Sequence, residues 1–341
     1  MVMKISLFLQ HIFTSTFLLK RPYSSIQNHS GQIFTLDIPD QITEDINYDL
    51  PINYNTIKNM MLMSYNAYME QDDSKWQKVD YNLTSDISVS PNDIRGYLFS
   101  DETHTHNIIA IKGTSISFIP MFLSVFNSTV SNDKLNDNLF FSCCFYKESK
   151  LFNDVCNDDS TSKYECKKSC YKDSLNMGKN YISMLPIIVD NIKKVIDFDK
   201  SNVYFTGHSL GGFLSVLLGL QYDKQVVTFD SPGGKHFLDL LGVDYSSKDS
   251  RIYHFGHNAD SIMHGHCGSL CWTWGYNVET KCRTGNSCIY DSKTKLGLSD
   301  SIRTHQLSYL VKNILPHWEN DFPECKYHDE CEENCEKWTY I

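Results

Sequence analysis

The chain of 341 residues is long enough for one large α/β domain or two small ones. Its composition is that of a soluble globular protein with 13% aromatic residues, and a net charge of −10 without a basic run argues against a nucleic-acid partner. Thirteen histidines make that sign conditional, because protonating them in an acidic compartment would cancel the charge and remove most of the repulsion from anionic surfaces.

In chain order, the first signal is Ile5 to Leu19 (ISLFLQHIFTSTFLL), an apolar stretch after Lys4. It is short for a membrane span, which needs about 20 residues, and it suits the apolar region of a signal peptide. Lys20-Arg21 follows without a clear small-residue cleavage site. Residues 1–22 are therefore expected to form a signal peptide or a short signal anchor, with a core helix as the alternative. Pro22 to Pro51 is polar and aperiodic, so residues 23–55 read as a connecting segment. Thr56 to Met69 places Ile57, Met60, Met61, Ser64, Tyr65 and Tyr68 at helical spacing, which predicts a packing helix with a methionine-rich core face.

Arg95 to Phe99 and Ile108 to Lys112 read as two strands joined by a polar loop, the second running into Gly113-Thr114. The apolar run Phe118 to Phe126 (FIPMFLSVF) follows. Its place allows a lid over a site or a helix packed on the body. Tyr171 to Phe198 predicts an amphipathic helix broken or kinked at Pro186. Val226 to Phe229 and Arg251 to Phe255 are further strands. Ser301 to Leu315 predicts a last amphipathic helix ended by Pro316, and a cysteine-rich acidic tail follows. Strands alternating with helices indicate an α/β fold.

Twelve cysteines lie in pairs and clusters, with no C-x₂-C spacing. An even count so arranged predicts disulfides in an oxidising lumen rather than zinc. The sequons at Asn28, Asn82 and Asn127 are compatible with that compartment as glycosylation sites.

Within Val203 to Gly219 (VYFTGHSLGGFLSVLLG), a short apolar strand meets the pentapeptide Gly207-His208-Ser209-Leu210-Gly211 and then an apolar helix. Strand, sharp turn and helix are the context of a G-x-S-x-G nucleophile elbow. The glycines let strand and helix approach closely, and the N–H of Leu210 opens the helix where an oxyanion would form. Serine needs a base to take its proton, and the base needs an acid to fix its tautomer. In α/β-hydrolases these follow in the order Ser, acid, His. Asp260, in GHNAD after the strand RIYHF, and His305 fit that order. Asp230 competes as the acid, and His254, His257, His264 and His266 crowd the same region. A second oxyanion donor is expected after an early strand, where Gly113-Thr114 offers an N–H and a hydroxyl.

The segments IIAIKGTS, FSCC, GHSLGG, TFDSPGG, YHFGHNAD, GYNVETKCRTGNSCIYD and RTH resemble the fungal vacuolar lipases that degrade autophagic bodies. These are a branch of the class 3, fungal-lipase-like α/β-hydrolases. The resemblance runs from about Thr56 to Trp338. It implies an α/β-hydrolase fold with disulfide-bonded insertions, a lipase domain over 56–316 and a tail over 317–341. It also implies Ser209, Asp260 and His305 as the triad, beside Leu210 and Thr114 as the oxyanion donors expected from the residues themselves. Membrane phospholipids and acylglycerols in vesicle membranes are the implied substrates. Delivery through the endoplasmic reticulum and multivesicular bodies to the vacuole is the implied route. No metal or cofactor is implied. The segment between the anchor and the lipase domain is shorter than in the family. The region after Gly113-Thr114 is apolar where the family is polar and glycine-rich. A secreted triacylglycerol lipase or esterase and a catalytically silent membrane-binding glycoprotein are the competing readings.

Overall fold

The computed structural model describes residues 49–341 except 91–92, 116–129, 146–155, 157–163, 176–179 and 328–330. The predicted anchor, the connecting segment up to residue 48, the apolar run at 118–126, and the sequons at Asn28 and Asn127 lie outside the described residues.

Ten strands are described: β1 (Asn82–Asp86), β2 (Gly96–Ser100), β3 (His106–Ile111), β4 (Glu165–Cys166), β5 (Asn202–His208), β6 (Val226–Phe229), β7 (Ile252–His257), β8 (Asn286–Tyr290), β9 (Cys325–Tyr327) and β10 (Thr339–Tyr340). Eight of them form one sheet in the order β1-β2-β3-β5-β6-β7-β8-β9. The five from β3 to β8 run parallel, and antiparallel neighbours close both edges. Strands covered on both faces carry near-continuous apolar runs. Val203 to His208 and Val226 to Phe229 are accordingly buried throughout. This is the sheet of an α/β-hydrolase, and it sends the carboxyl ends of β5, β6 and β7 to one side of the molecule.

Two layers cover the sheet. The helix Tyr54–Asn66 starts at Asn53, whose side chain accepts from the Thr56 N–H (3.1 Å) and satisfies an otherwise orphaned donor. It buries Ile57, Met60, Met61 and Met63 against Tyr204, Val227, Phe229 and Phe255 of the sheet, together with Leu310, Ile314 and Trp318. The methionine-rich face is core, as its spacing predicts. On the other face lies the helix Leu210–Tyr222, packed on β5 and β6. There Phe205 meets Phe198, which meets Tyr222, while Phe213 meets Phe140, Phe141 and Phe237.

Of the two predicted helices with a proline, the first is broken there, as expected, and the last is corrected. Pro186 opens the helix Leu185–Lys193. At the first turn its missing N–H costs nothing, because no intrahelical acceptor exists there. The stretch before it is a separate helix, Lys168–Ser174, and a 3₁₀ turn, Tyr181–Met184. Residues 301–306 are not helical, and the last helical stretch spans Leu307–Tyr309, Leu310–Ile314 and Leu315–Trp318. Pro316 lies inside it rather than ending it. Its ring would crowd the Lys312 carbonyl in a regular α-helix, and the middle segment is a wider π turn that relieves this.

All twelve cysteines are paired. Cys143–Cys335, Cys282–Cys331 and Cys288–Cys325 stitch the tail to the body. Cys144–Cys166 and Cys156–Cys170 hold the insertion that follows the helix Val130–Phe141, and Cys267–Cys271 closes a short ring. β10 pairs with β4, so the end of the tail is knitted to that insertion.

Candidate active site

Ser209 stands between β5 and the helix Leu210–Tyr222 with φ 56° and ψ −127°, a backbone conformation that non-glycine residues rarely adopt. The turn is held by close packing. A Cβ on Gly207 would come within 2.4 Å of the Gly211 backbone, and one on Gly211 within 2.3 Å of the Ile111 oxygen. The elbow expected from G-x-S-x-G is therefore formed. Leu210 begins the helix, so its N–H belongs to the first turn, which lacks intrahelical acceptors.

The three predicted partners meet across the ends of the strands. His305 Nε2 lies 2.9 Å from Ser209 Oγ, and His305 Nδ1 lies 2.7 Å from Asp260 Oδ2. His305 occupies the turn before the last helical stretch rather than a helix surface. Asp260 follows β7, and its Oδ1 accepts from the N–H groups of Ile262 and Met263. A parallel bridge between Asp260 and Ser301, with the Thr304 hydroxyl on the Ala259 carbonyl, joins the two loops. Burial pushes the Asp260 carboxyl up, but His305, His257 and these donors hold it below the usual carboxylate range. The arrangement can lower the cost of removing the serine proton and can stabilise an imidazolium.

The competing residues are engaged elsewhere. His254 bonds to Thr228 Oγ1 and the Thr284 carbonyl, and His257 to Ser292 Oγ and the Thr304 carbonyl. His264 is half-buried and His266 exposed. Asp230 is fully buried at the end of β6, with φ 44°, and among the described residues the His257 N–H is the donor that faces its carboxyl.

Thr114 follows β3 at the edge of the same site. Gly113 permits this approach, since a Cβ there would lie 2.2 Å from the His208 carbonyl oxygen. The Thr114 hydroxyl is hydrogen-bonded to Asp137 Oδ2 (2.7 Å), so its N–H is the group left to serve an oxyanion. Asp137 and Asp133 lie on the helix Val130–Phe141. Asp133 accepts from the Ser115 N–H (3.0 Å) and the Tyr181 hydroxyl (2.6 Å) and faces Lys112 at 3.8 Å. Burial, with Asp133 nearby, holds the Asp137 carboxyl well above the usual range. Asp133, Asp137 and Tyr181 carry no local motif, and the sequence alone did not reveal them.

A cavity opens between Thr114, Ser209 and His305, and Ile262, Tyr276, Val278 and Ile302 form much of its remaining wall. Such a wall suits an aliphatic group. Among the described residues, His208, Asp230 and His305 bring possible metal-ligand atoms within 4.8 Å of one another. Both ring nitrogens of His208 are already used, by Tyr68 and by the His305 carbonyl. The set therefore does not fit a metal without rearrangement.

No family model matches the chain. It is 33% identical over 305 residues to a Passalora fulva protein named "Putative lipase ATG15", covering 84% of this chain and 44% of that protein. It is 32% identical over 317 residues to a Yarrowia lipolytica protein of the same name, covering 89% of this chain and 55% of that one. The chain thus spans about half the length of the curated relatives it matches. Among solved structures it is similar to the Lip2 lipase of Yarrowia lipolytica, with a TM-score of 0.37 and 18% identity over 70% of this chain and 78% of that one.

Proposed function

The chain is a homologue of the fungal ATG15 proteins over most of its length, and from that premise we propose that it is a lumenal serine lipase acting on membrane phospholipids and acylglycerols. The observation that carries this reading is the unbroken run from Ser209 through His305 to Asp260 at the mouth of an apolar cavity. Ser209 Oγ attacks the ester carbonyl while His305 Nε2 takes its proton. Asp260 holds the imidazole and balances its charge. The N–H groups of Leu210 and Thr114 receive the negative oxygen, as preorganised donors do. His305 then returns the proton to the leaving alcohol, and water releases the acyl group by the same steps. Six disulfides favour an oxidising lumen. The vacuole is the proposed place of action, with autophagic bodies and intravacuolar vesicles as the membranes. Asn82, exposed on edge strand β1, is the glycosylation site among the described residues that supports passage through that lumen.

The test is the purified chain and Ser209→Ala against phospholipid vesicles, a triacylglycerol emulsion and a short soluble ester. Alanine should remove ester hydrolysis by on the order of 10³-fold or more with folding intact. It should also abolish labelling by a fluorophosphonate. Hydrolysis at the wild-type rate by a folded Ser209→Ala protein would remove the reading.

A further inference from the structure

Asp230 has the chemistry of an acid and none of the contacts of a structural one. It is fully buried, yet among the described residues the His257 N–H is the donor that faces its carboxyl, and neither oxygen reaches full hydrogen-bond geometry. Burying an unpaired polar group costs on the order of 1–3 kcal/mol and satisfies nothing. A carboxyl with only a packing role is a costly choice at such a position. Its backbone is fixed, with the N–H on the Phe255 carbonyl (2.8 Å) and φ in the left-handed region. The side chain is therefore held at the end of β6, one strand from the nucleophile.

Its surroundings are those of the catalytic base. On β7, the His257 N–H and ring face it, with Nε2 at 4.0 Å from Oδ2. One ring nitrogen of His305 and one of His208 lie within 4.8 Å of an Asp230 oxygen. Asp260 acts on it from the loop after β7, and Arg283 from ahead of β8. Arg283 is buried and donates to the carbonyls of Ser231 and Met263, so it fixes a positive charge between the loops that bear the two acids. The tail supports that arginine: Glu333 accepts from the N–H groups of Lys281 and Cys282 beside it (2.7 and 3.1 Å).

We propose that Asp230 is a second positioning acid for His305: the site offers the imidazole two buried carboxyls, so that Asp230 orients it when Asp260 is removed. The inference rests on the serine-hydrolase reading of the site. Two carboxyls that share a buried space do not both ionise readily. Burial, with the charge of Asp260 next, raises the Asp230 carboxyl well above the usual carboxylate range. Removing Asp260 removes that repulsion and takes from Arg283 the strongest of its acidic partners, with Glu333 of the tail remaining. Both changes favour loss of the Asp230 proton. The contact with the His257 N–H is short of full hydrogen-bond geometry, so it holds the freed carboxylate only loosely against turning towards His305.

The test is a double-mutant cycle on the full chain with a short soluble ester, using Asp260→Ala, Asp230→Asn and the pair. Asparagine is nearly isosteric and tolerates the left-handed backbone. Asp230→Gly repeats the cycle if the asparagine variant folds poorly. Loss of an unreplaced triad acid lowers kcat by roughly 10⁴-fold. Asp260→Ala alone should lose far less, roughly 10²-fold. Adding Asp230→Asn should then remove at least a further tenfold, a much larger factor than the same change causes beside an intact Asp260. The acid limb of kcat/KM should also move to higher pH in Asp260→Ala, because Asp230 must lose its proton to act. Equal factors in both backgrounds, or an unmoved acid limb, would overturn the proposal and leave Asp230 a structural residue. Absence of serine-dependent hydrolysis in the wild-type chain would strike the serine-hydrolase reading itself, which separates the two failures.

Discussion

The phenol of Tyr68 lies 2.8 Å from His208 Nδ1, and the other nitrogen of that ring lies 2.8 Å from the backbone carbonyl of His305. A carbonyl only accepts, so His208 Nε2 carries the hydrogen and Nδ1 accepts from the phenol. Burial, with His305 next to it, holds His208 down to about 3, which keeps it neutral in this role. The residue before Ser209 thereby ties the turn after the helix Tyr54–Asn66 to the loop of His305. Tyr68 also faces Gly113, so the loop of Thr114 joins the same chain of contacts.

Tyr68→Phe should expose that dependence. It leaves a buried ring nitrogen unpaired, which costs about 1–3 kcal/mol. The melting temperature should fall, and kcat on a short ester should fall by up to about tenfold while KM holds, because the loops of Thr114 and His305 lose a shared anchor. Unchanged melting and unchanged kcat would show that the phenol is dispensable.

Thr114→Val separates the hydroxyl from the N–H. The variant keeps the backbone donor and leaves Asp137 without its partner at 2.7 Å. Removing an oxyanion donor itself costs about 10²–10³-fold in kcat. A hydroxyl that only positions the loop should cost less, about tenfold, and Thr114→Ser should lose less still. A loss of 10³-fold in Thr114→Val would assign the hydroxyl to the oxyanion directly.

Acidification should act through His254. Its ring bonds to Thr228 and to the Thr284 carbonyl, and burial, with Arg283 next, lowers it to about 3. The unfolded value is about 6.5. The folded value lies below the unfolded one, so the unfolded chain takes the proton first. This contribution is complete above pH 6.5 and is lost as pH falls towards 3, at up to about 1.4 kcal/mol per unit. His254→Gln should be less stable than wild type at pH 7, and the gap in melting temperature should narrow by pH 4. Parallel curves over that range would contradict the buried neutral histidine.

Disulfide removal should follow loop length. In the chain-entropy model, Cys143–Cys335, with a separation of 192 residues, contributes up to about 5 kcal/mol, and Cys267–Cys271, with a separation of 4, about 2 kcal/mol. Replacing each pair by serine and comparing denaturant midpoints tests this order. Equal effects would place the stabilisation in local packing around the short ring, which also lines the cavity.

The elbow at Ser209 was legible because its requirements are local. Gly207, Ser209 and Gly211 must be adjacent in sequence to make the turn, and the flanking strand and helix carry their own apolar periodicity. The methionine-rich helix and the strand Val226 to Phe229 were legible for the same reason, since burial of one face imposes a period. Spacing left Asp260 and Asp230 as rival acids, because each follows a strand of the same parallel sheet. The resemblance favoured Asp260, and the structure places only that carboxyl on His305 Nδ1. The pairing of the cysteines, the hold of Asp137 on Thr114, and the gathering of Arg283 and Asp230 around the base were likewise absent from the sequence. So was the π turn before Pro316, where proline was expected to end the helix. These features join residues far apart in the chain. Their energies depend on which loops converge at the carboxyl ends of β5, β6 and β7, and that convergence exists only once the sheet order is set.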